Sequence, residues 1–121
     1  METVILTAQG AVIVTELPTN METLKFLQSN VGGLVEHLPF PVAGVDAWIN
    51  EEGKYLNSLD EEGNLVEGLA CNEKATKILA DAKMLFVGDW IAGDMVLTSC
   101  NEEGETIPLN KKQLDGILSL M

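Results

Sequence analysis

The sequence predicts an α+β fold, a mainly antiparallel sheet of about six or seven strands with three helices, in a single domain over residues 1–121. Three observations carry that expectation. Short β-branched runs recur between Gly, Pro, Asn and Asp turn signals at hairpin spacing. Capped amphipathic stretches stand among them without the regular strand–helix alternation of a parallel sheet. The chain is 46% hydrophobic and 21% charged over 121 residues, enough apolar material for one core.

Val4–Thr7 and Ala11–Thr15 read as two strands joined through Ala8-Gln9-Gly10. Pro18 ends the second, and Thr19-Asn20-Met21-Glu22 has the Thr-x-x-Glu form of a capping box. In the helix that follows, Leu24, Leu27 and Val31 share an apolar face, and Gly32 or Gly33 supplies the left-handed stop. Leu34–Leu38, closed by Pro39 and Pro41, and Val45–Asn50 read as the next strands. Alternation in Val45–Asn50 puts Val45, Ala47 and Ile49 on one face and Asp46, Trp48 and Asn50 on the other. An indole among polar groups means either that a helix covers that face or that Trp48 lines a pocket.

Glu-Glu-Gly occurs three times, after Asn50, Asp60 and Asn101, and each tetrapeptide suits a turn whose first side chain bonds its own backbone and whose Gly takes positive φ. The first turn would pair Val45–Asn50 with Lys54–Leu56, and Asn57–Gly68 would be a longer surface loop. Asn72 can cap a helix over Glu73–Met84, with Ala75, Ile78, Leu79 and Ala82 inward and Lys74, Lys77 and Lys83 outward. Met95–Cys100 and Glu105–Leu109 form the last hairpin. Asn110 with Gln113 then caps a terminal helix that buries Leu114, Ile117, Leu118 and Met121.

Composition excludes several functions. Nineteen acids against seven lysines give a net charge of −12, and no arginine offers the planar fork that grips phosphates and guanine edges, so direct nucleic-acid reading is not expected. No apolar run reaches the ~20 residues of a membrane span. The opening METVILTAQG lacks a basic flank before a long apolar stretch, and Cys71 and Cys100 are too few for a secreted disulfide framework, so a cytoplasmic setting is expected. One histidine, His37, makes a poor zinc set and reads as a hydrogen-bonded strand residue, while Asp60–Leu65 lacks the glycine of a calcium loop. No metal or cofactor is expected. Neither cysteine carries a nucleophile signature, and both read as small buried residues. The local chemistry that can be placed is anion capture: Asn72, Lys74, Thr76 and Lys77 gather at a helix N-terminus, with Trp48, Tyr55 and Trp90 as a stacking surface.

The ordered set Val31-Gly32-Gly33-x-Val35-Glu36, Asp46-x-Trp48-Ile49-Asn50-Glu51-Glu52-Gly53-Lys54, Asn72-x-x-Ala75-Thr76 and Ile91-x-Gly93-Asp94-x-Val96-Leu97-Thr98 resembles a family of small domains of unknown function, from about Val12 to Leu114. The resemblance implies a small accessory protein of bacteriophages or bacterial mobile DNA, acting inside the host cell, and it brings no activity and no catalytic residues. Thr98-Ser99-Cys100 stands where a glycine-ended stretch would be expected, and Asn57–Gly68 is long for the family. The expectation is a non-catalytic binding protein. Its ligand site is Trp48, Asn50, Lys54, Tyr55, Asn72, Lys74 and Thr76, and its ligand a nucleotide-like defence signal of the host. Without arginine, phosphate capture would draw on backbone N–H groups or a second subunit, so a homodimer follows as a corollary. One rival is an acidic inhibitor that docks on a basic host protein as DNA would, using the carboxylates from Glu51 to Glu67. Another is a hydrolase working through paired carboxylates.

Overall fold

A computed structural model of the chain describes residues 1–18, 22–54, 58–59, 61–63, 65–66 and 68–121. The opening hairpin pairs β1 (Glu2–Leu6) with β2 (Val12–Glu16) in antiparallel register, Glu2 opposite Glu16 and Leu6 opposite Val12. Its turn is closed by Thr7 N–H donating to Ala11 O at 2.9 Å, with Gly10 at φ 92°. Helix α1 (Glu22–Val31) follows, and the expected cap Thr19-Asn20-Met21 lies outside the described residues. Gly32, at φ 81°, ends it in the left-handed conformation. The buried row is Thr23, Leu27 and Val31, while Leu24 is 55% exposed. The i, i+4, i+8 row faces the sheet, and Leu24, one position on, is turned toward solvent.

Strands β3 (Val35–Pro39) and β4 (Val45–Asn50) pair antiparallel, Val35 opposite Asn50 and Pro39 opposite Asp46. A small hairpin, β5 (Ser58–Leu59) with β6 (Leu65–Val66), stands within the stretch expected to be loop. Helix α2 (Glu73–Asp81) is shorter than the sequence suggests. It closes when Lys83 enters the left-handed region at φ 60°, with Met84 N–H donating to Leu79 O at 2.8 Å and Lys83 N–H to Ala80 O at 3.0 Å. This leaves Ala82 exposed, not inward. After it come β7 (Met95–Cys100), β8 (Thr106–Ile107) and α3 (Lys111–Leu118), the last with the expected box of Asn110 and Gln113.

Among the described residues the main sheet runs β2-β1-β7-β4-β3, with β8 continuing beside the end of β7, and every pairing is antiparallel. This is the expected α+β class. Strand β4 does not hairpin with Lys54–Leu56. It is inserted between β7 and β3, Lys54 stands in a turn, and residues 55–57 lie outside the described set. A strand whose Val45, Ala47, Ile49 and Asn50 are all buried satisfies its backbone on both edges, which a single hairpin partner could not provide.

Alternation then sorts the side chains into two layers. On one face Val4, Leu6, Val45, Ala47, Met95 and Leu97 pack with Ala75, Ile78 and Leu79 of α2 and Ile117 of α3. On the other, Ile5 and Val96 meet Leu27 and Val31 of α1, with Phe26, Val35 and Trp48 at the margin. The terminal helix buries Gln113 and Ile117 but leaves Leu118 and Met121 exposed, contrary to expectation, because Leu118 turns off the helix row that meets the sheet and Met121 lies beyond the last turn. Both cysteines are exposed as well, not buried. Cys100 ends β7 on the α1 face, which α1 covers only in part, and Cys71 bridges to Ala92 in the loop before α2.

Candidate functional site

The alternation that points Trp48 away from the α2 layer places it where α1 stops covering the sheet. Its indole N–H donates to Thr98 Oγ1 at 2.8 Å, and its ring meets that of His37 edge-on at 5.2 Å between centroids. Both alternatives read from the sequence are therefore present in part: α1 covers one side of the indole, and the other side opens into a groove of about 580 Å³. Leu24 and Leu27 of α1 form one wall of that groove, and Thr106, Ile107 and Pro108 of the β8 segment form the other. Glu105 is the one charged residue in its described lining. A volume in the ~300–1,000 Å³ range of ligand pockets, mostly apolar and marked by a single carboxylate, suits an apolar group that carries positive charge.

Beside Trp48 the same sheet face carries a polar row. His37 Nε2 lies 2.8 Å from Asp46 Oδ1. The charge of Asp46 is also the main reason that the Cys100 thiol is pushed up from its ordinary range, with desolvation and a hydrogen bond to Asp46 adding to it. Asp46 therefore sits between the histidine and the thiol and holds both. A thiol kept protonated beside a carboxylate, with the histidine engaged elsewhere, is not an activated nucleophile.

The residues expected around the anion site are arranged differently. Asn72 is fully buried: its carbonyl oxygen caps Ala75 N–H at 3.1 Å, and its Nδ2 donates to Leu6 O at 2.8 Å and to Gly93 O at 3.0 Å. Thr76 Oγ1 accepts from Ile91 N–H at 2.9 Å. Both side chains tie the start of α2 to neighbouring backbone, so the cap the sequence shows is a clamp between elements. Lys74 is half-buried on the first turn of α2. Asn50 donates to Val31 O at 3.0 Å and accepts from Glu52 N–H at 2.8 Å, locking the end of α1 to the first Glu-Glu-Gly turn. A Cβ on Gly33 would come to 3.1 Å from that Asn50 amide, which is why a glycine suits the position.

Lys54 pairs with Asp89 and stands 5.2 Å from the centre of the Trp90 ring. With Glu36, Asn50, Asp89 and Trp90 it lines a smaller cleft of about 170 Å³. The carboxyl of Asp89 is held below the usual carboxylate range chiefly by its hydrogen bond with Lys54 and then by Trp90 N–H. Trp48 and Asn72 thus do not line a common pocket: the α2 layer lies across the sheet from the indole, and the described groove lining includes none of Asn50, Lys54, Asn72, Lys74 or Thr76. Tyr55 lies outside the described residues. What sequence reasoning missed is the opposite wall, Ile107 and Pro108 with Glu105, which carries no local signal because β8 reaches the groove only through its pairing with β7.

Among the described residues no group of three or more His, Cys, Asp or Glu side chains is placed to hold a metal ion, and no helix is long and apolar enough to cross a membrane. The family model described as a domain of unknown function, DUF3846, matches residues 1–121. No curated protein and no solved structure matches the chain.

Proposed function

The chain belongs to the DUF3846 family, domains of unknown function, and from that premise we propose that it is a non-catalytic binding protein that takes a basic, partly apolar segment of another protein into the groove between α1 and β8. The observation that carries this reading is the Trp48 groove itself, an apolar trough with Glu105 as its charge, on a chain of net charge −12. An aliphatic side chain of the partner fills the trough against the indole. A lysine or arginine beside it meets Glu105, and the acidic surface steers the approach. The setting is the phage or mobile-element one that the sequence resemblance implies, with a basic host protein as the partner.

Capture of a nucleotide-like anion has weaker support. Its polar anchors Asn72 and Thr76 are occupied by backbone, Lys54 is paired with Asp89, and a phosphate entering the groove would approach a carboxylate. Titration of the protein with a soluble peptide of alternating leucine and lysine, followed by calorimetry, separates the two. Binding that weakens steeply with salt, falls at least several-fold in Glu105→Gln and is lost in Trp48→Ala is the expected result. Heat from cyclic or ADP-ribose-type nucleotides and none from the peptide would replace this reading with anion capture, and heat from neither would remove both.

A further inference from the structure

We infer that the outer edge of β2 is a self-association surface, on which a second copy of this chain adds its own β2 antiparallel to extend the sheet. The hairpin bonds fix which backbone groups are open. Thr7 N–H donates to Ala11 O and Leu17 N–H to Met1 O, so the odd-numbered residues of the strand turn toward β1, and Val12, Val14 and Glu16 turn their N–H and C=O groups outward. Among the described residues no strand pairs with that edge. Little blunts it: Val12–Glu16 contains no proline, no lysine and no bulge, its one charge is the terminal Glu16, and Ile13 and Val14 are 43% and 41% exposed, one on each face.

The other end of the sheet shows what a guarded edge looks like in the same molecule. Glu51 N–H donates to Leu34 O, which by the same alternation turns Val35, His37 and Pro39 of β3 outward. Pro39 has no N–H to offer, and Glu36 adds an exposed charge beside it.

Charge selects the occupant. On a chain of net charge −12, the whole stretch Thr3–Thr15 carries no charged residue, so the hairpin is where two such chains can approach with least repulsion. Its own carboxylates, Glu2 and Glu16, pair at the open end of the hairpin, and Asp94 is turned to its tip, where it accepts from Ala8 N–H at 2.8 Å. The outward set is also self-complementary. With Val14 on the two-fold axis, Val14 faces its counterpart and Val12 faces Glu16 on either side, each pair exchanging two N–H···O bonds. The two Glu16 residues then stand about 14 Å apart along the strands, beyond the ~8 Å screening length at physiological salt.

This pairing does not depend on the groove reading, but it bears on it: a two-fold perpendicular to the sheet leaves both α1 layers, and both grooves, on one side. The test is sedimentation equilibrium of the full chain together with amide exchange. A dimer at high-micromolar concentration is expected, tightening several-fold from low to moderate salt. Its Val12, Val14 and Glu16 amides should be protected and should lose that protection on dilution. Val14→Lys, which sets like charges across the axis, should be a folded monomer. A wild-type monomer, fast exchange of those three amides in a dimer, or a dimer that survives in folded Val14→Lys would each overturn the inference. Should Val14→Lys fail to fold, the dilution series on the wild type still decides. Mass and exchange report on the edge and peptide titration on the groove, so either can fail alone.

Discussion

The two faces of one sheet have been finished differently. Against α2 and α3 the sheet presents Val4, Leu6, Ala47, Met95 and Leu97, each fully buried, so these positions form an interior. Against α1 it presents Ile5 and Val96 under the helix and then Trp48, His37, Asp46 and Cys100 beyond it, half-buried or exposed. The ten residues of α1 cover only part of the sheet, and the remainder is the groove. Close packing is concentrated on one face and half-buried polar groups on the other. The motif residues Asn50 and Asn72 belong to the first category although their type and spacing suggest the second.

Asn72 gives the largest effect and the sharpest way to break that division. Truncation in Asn72→Ala removes the cap of α2 and the donor that Asn72 gives to the carbonyls of Leu6 and Gly93, a loss of about 2–4 kcal/mol. Urea unfolding should show the midpoint falling with an unchanged slope. Asn72→Asp distinguishes a clamp from a simple cap. Aspartate caps helices as well as asparagine does, but it cannot donate to the two carbonyls, so it should cost as much as alanine. If Asn72→Asp is as stable as the wild type, the side chain is only a cap and stands free for other work.

How much of this was legible follows from the range of each signal. The faces of β4, the box of Asn110 with Gln113 and the Asx turns at Asn50 and Asn101 are local patterns, and the structure contains them. Which strand β4 pairs with is not local: its neighbour β7 follows only after β5, β6 and α2, and nothing in Val45–Asn50 names it. The groove combines Pro18, Leu24, Trp48 and Ile107, four segments joined only by topology. Asn72 was found as a cap because capping is a three-residue relation, whereas its two further bonds cross to Leu6 and Gly93. The end of α2 is hard to read from the sequence for another reason, since lysine is an uncommon occupant of the left-handed closing position that Lys83 fills.

On the open face an intermediate effect is expected at Cys100. Because the Asp46 carboxylate raises the thiol, Asp46→Asn should accelerate alkylation of Cys100 by iodoacetamide several-fold near neutral pH, with Cys71 in the same molecule as the reference. Peptide mass spectrometry reads both sites at once. Equal rates in the two proteins would mean that Asp46 does not control the thiol, and the polar row beside Trp48 would lose its electrostatic coupling.

The smallest effect lies at the cleft where Lys54 and Asp89 meet. The Asp89 carboxyl titrates below its ordinary value of 3.8 in the folded chain, so the folded state favours its charged form more than the unfolded chain does. Its contribution is complete above the unfolded value and is lost as pH falls through the folded one, that is, in the acid range below about pH 4. Both partners are more than a third exposed, so solvent screening keeps the contribution under about 1 kcal/mol. Asp89→Asn should therefore be slightly less stable than the wild type at pH 7, and the difference should shrink as pH falls below about 4, as read from urea midpoints. A difference that grows toward acid would have the wrong sign for a lowered carboxyl, and the pair would then be holding something other than the turn between Phe86 and Trp90.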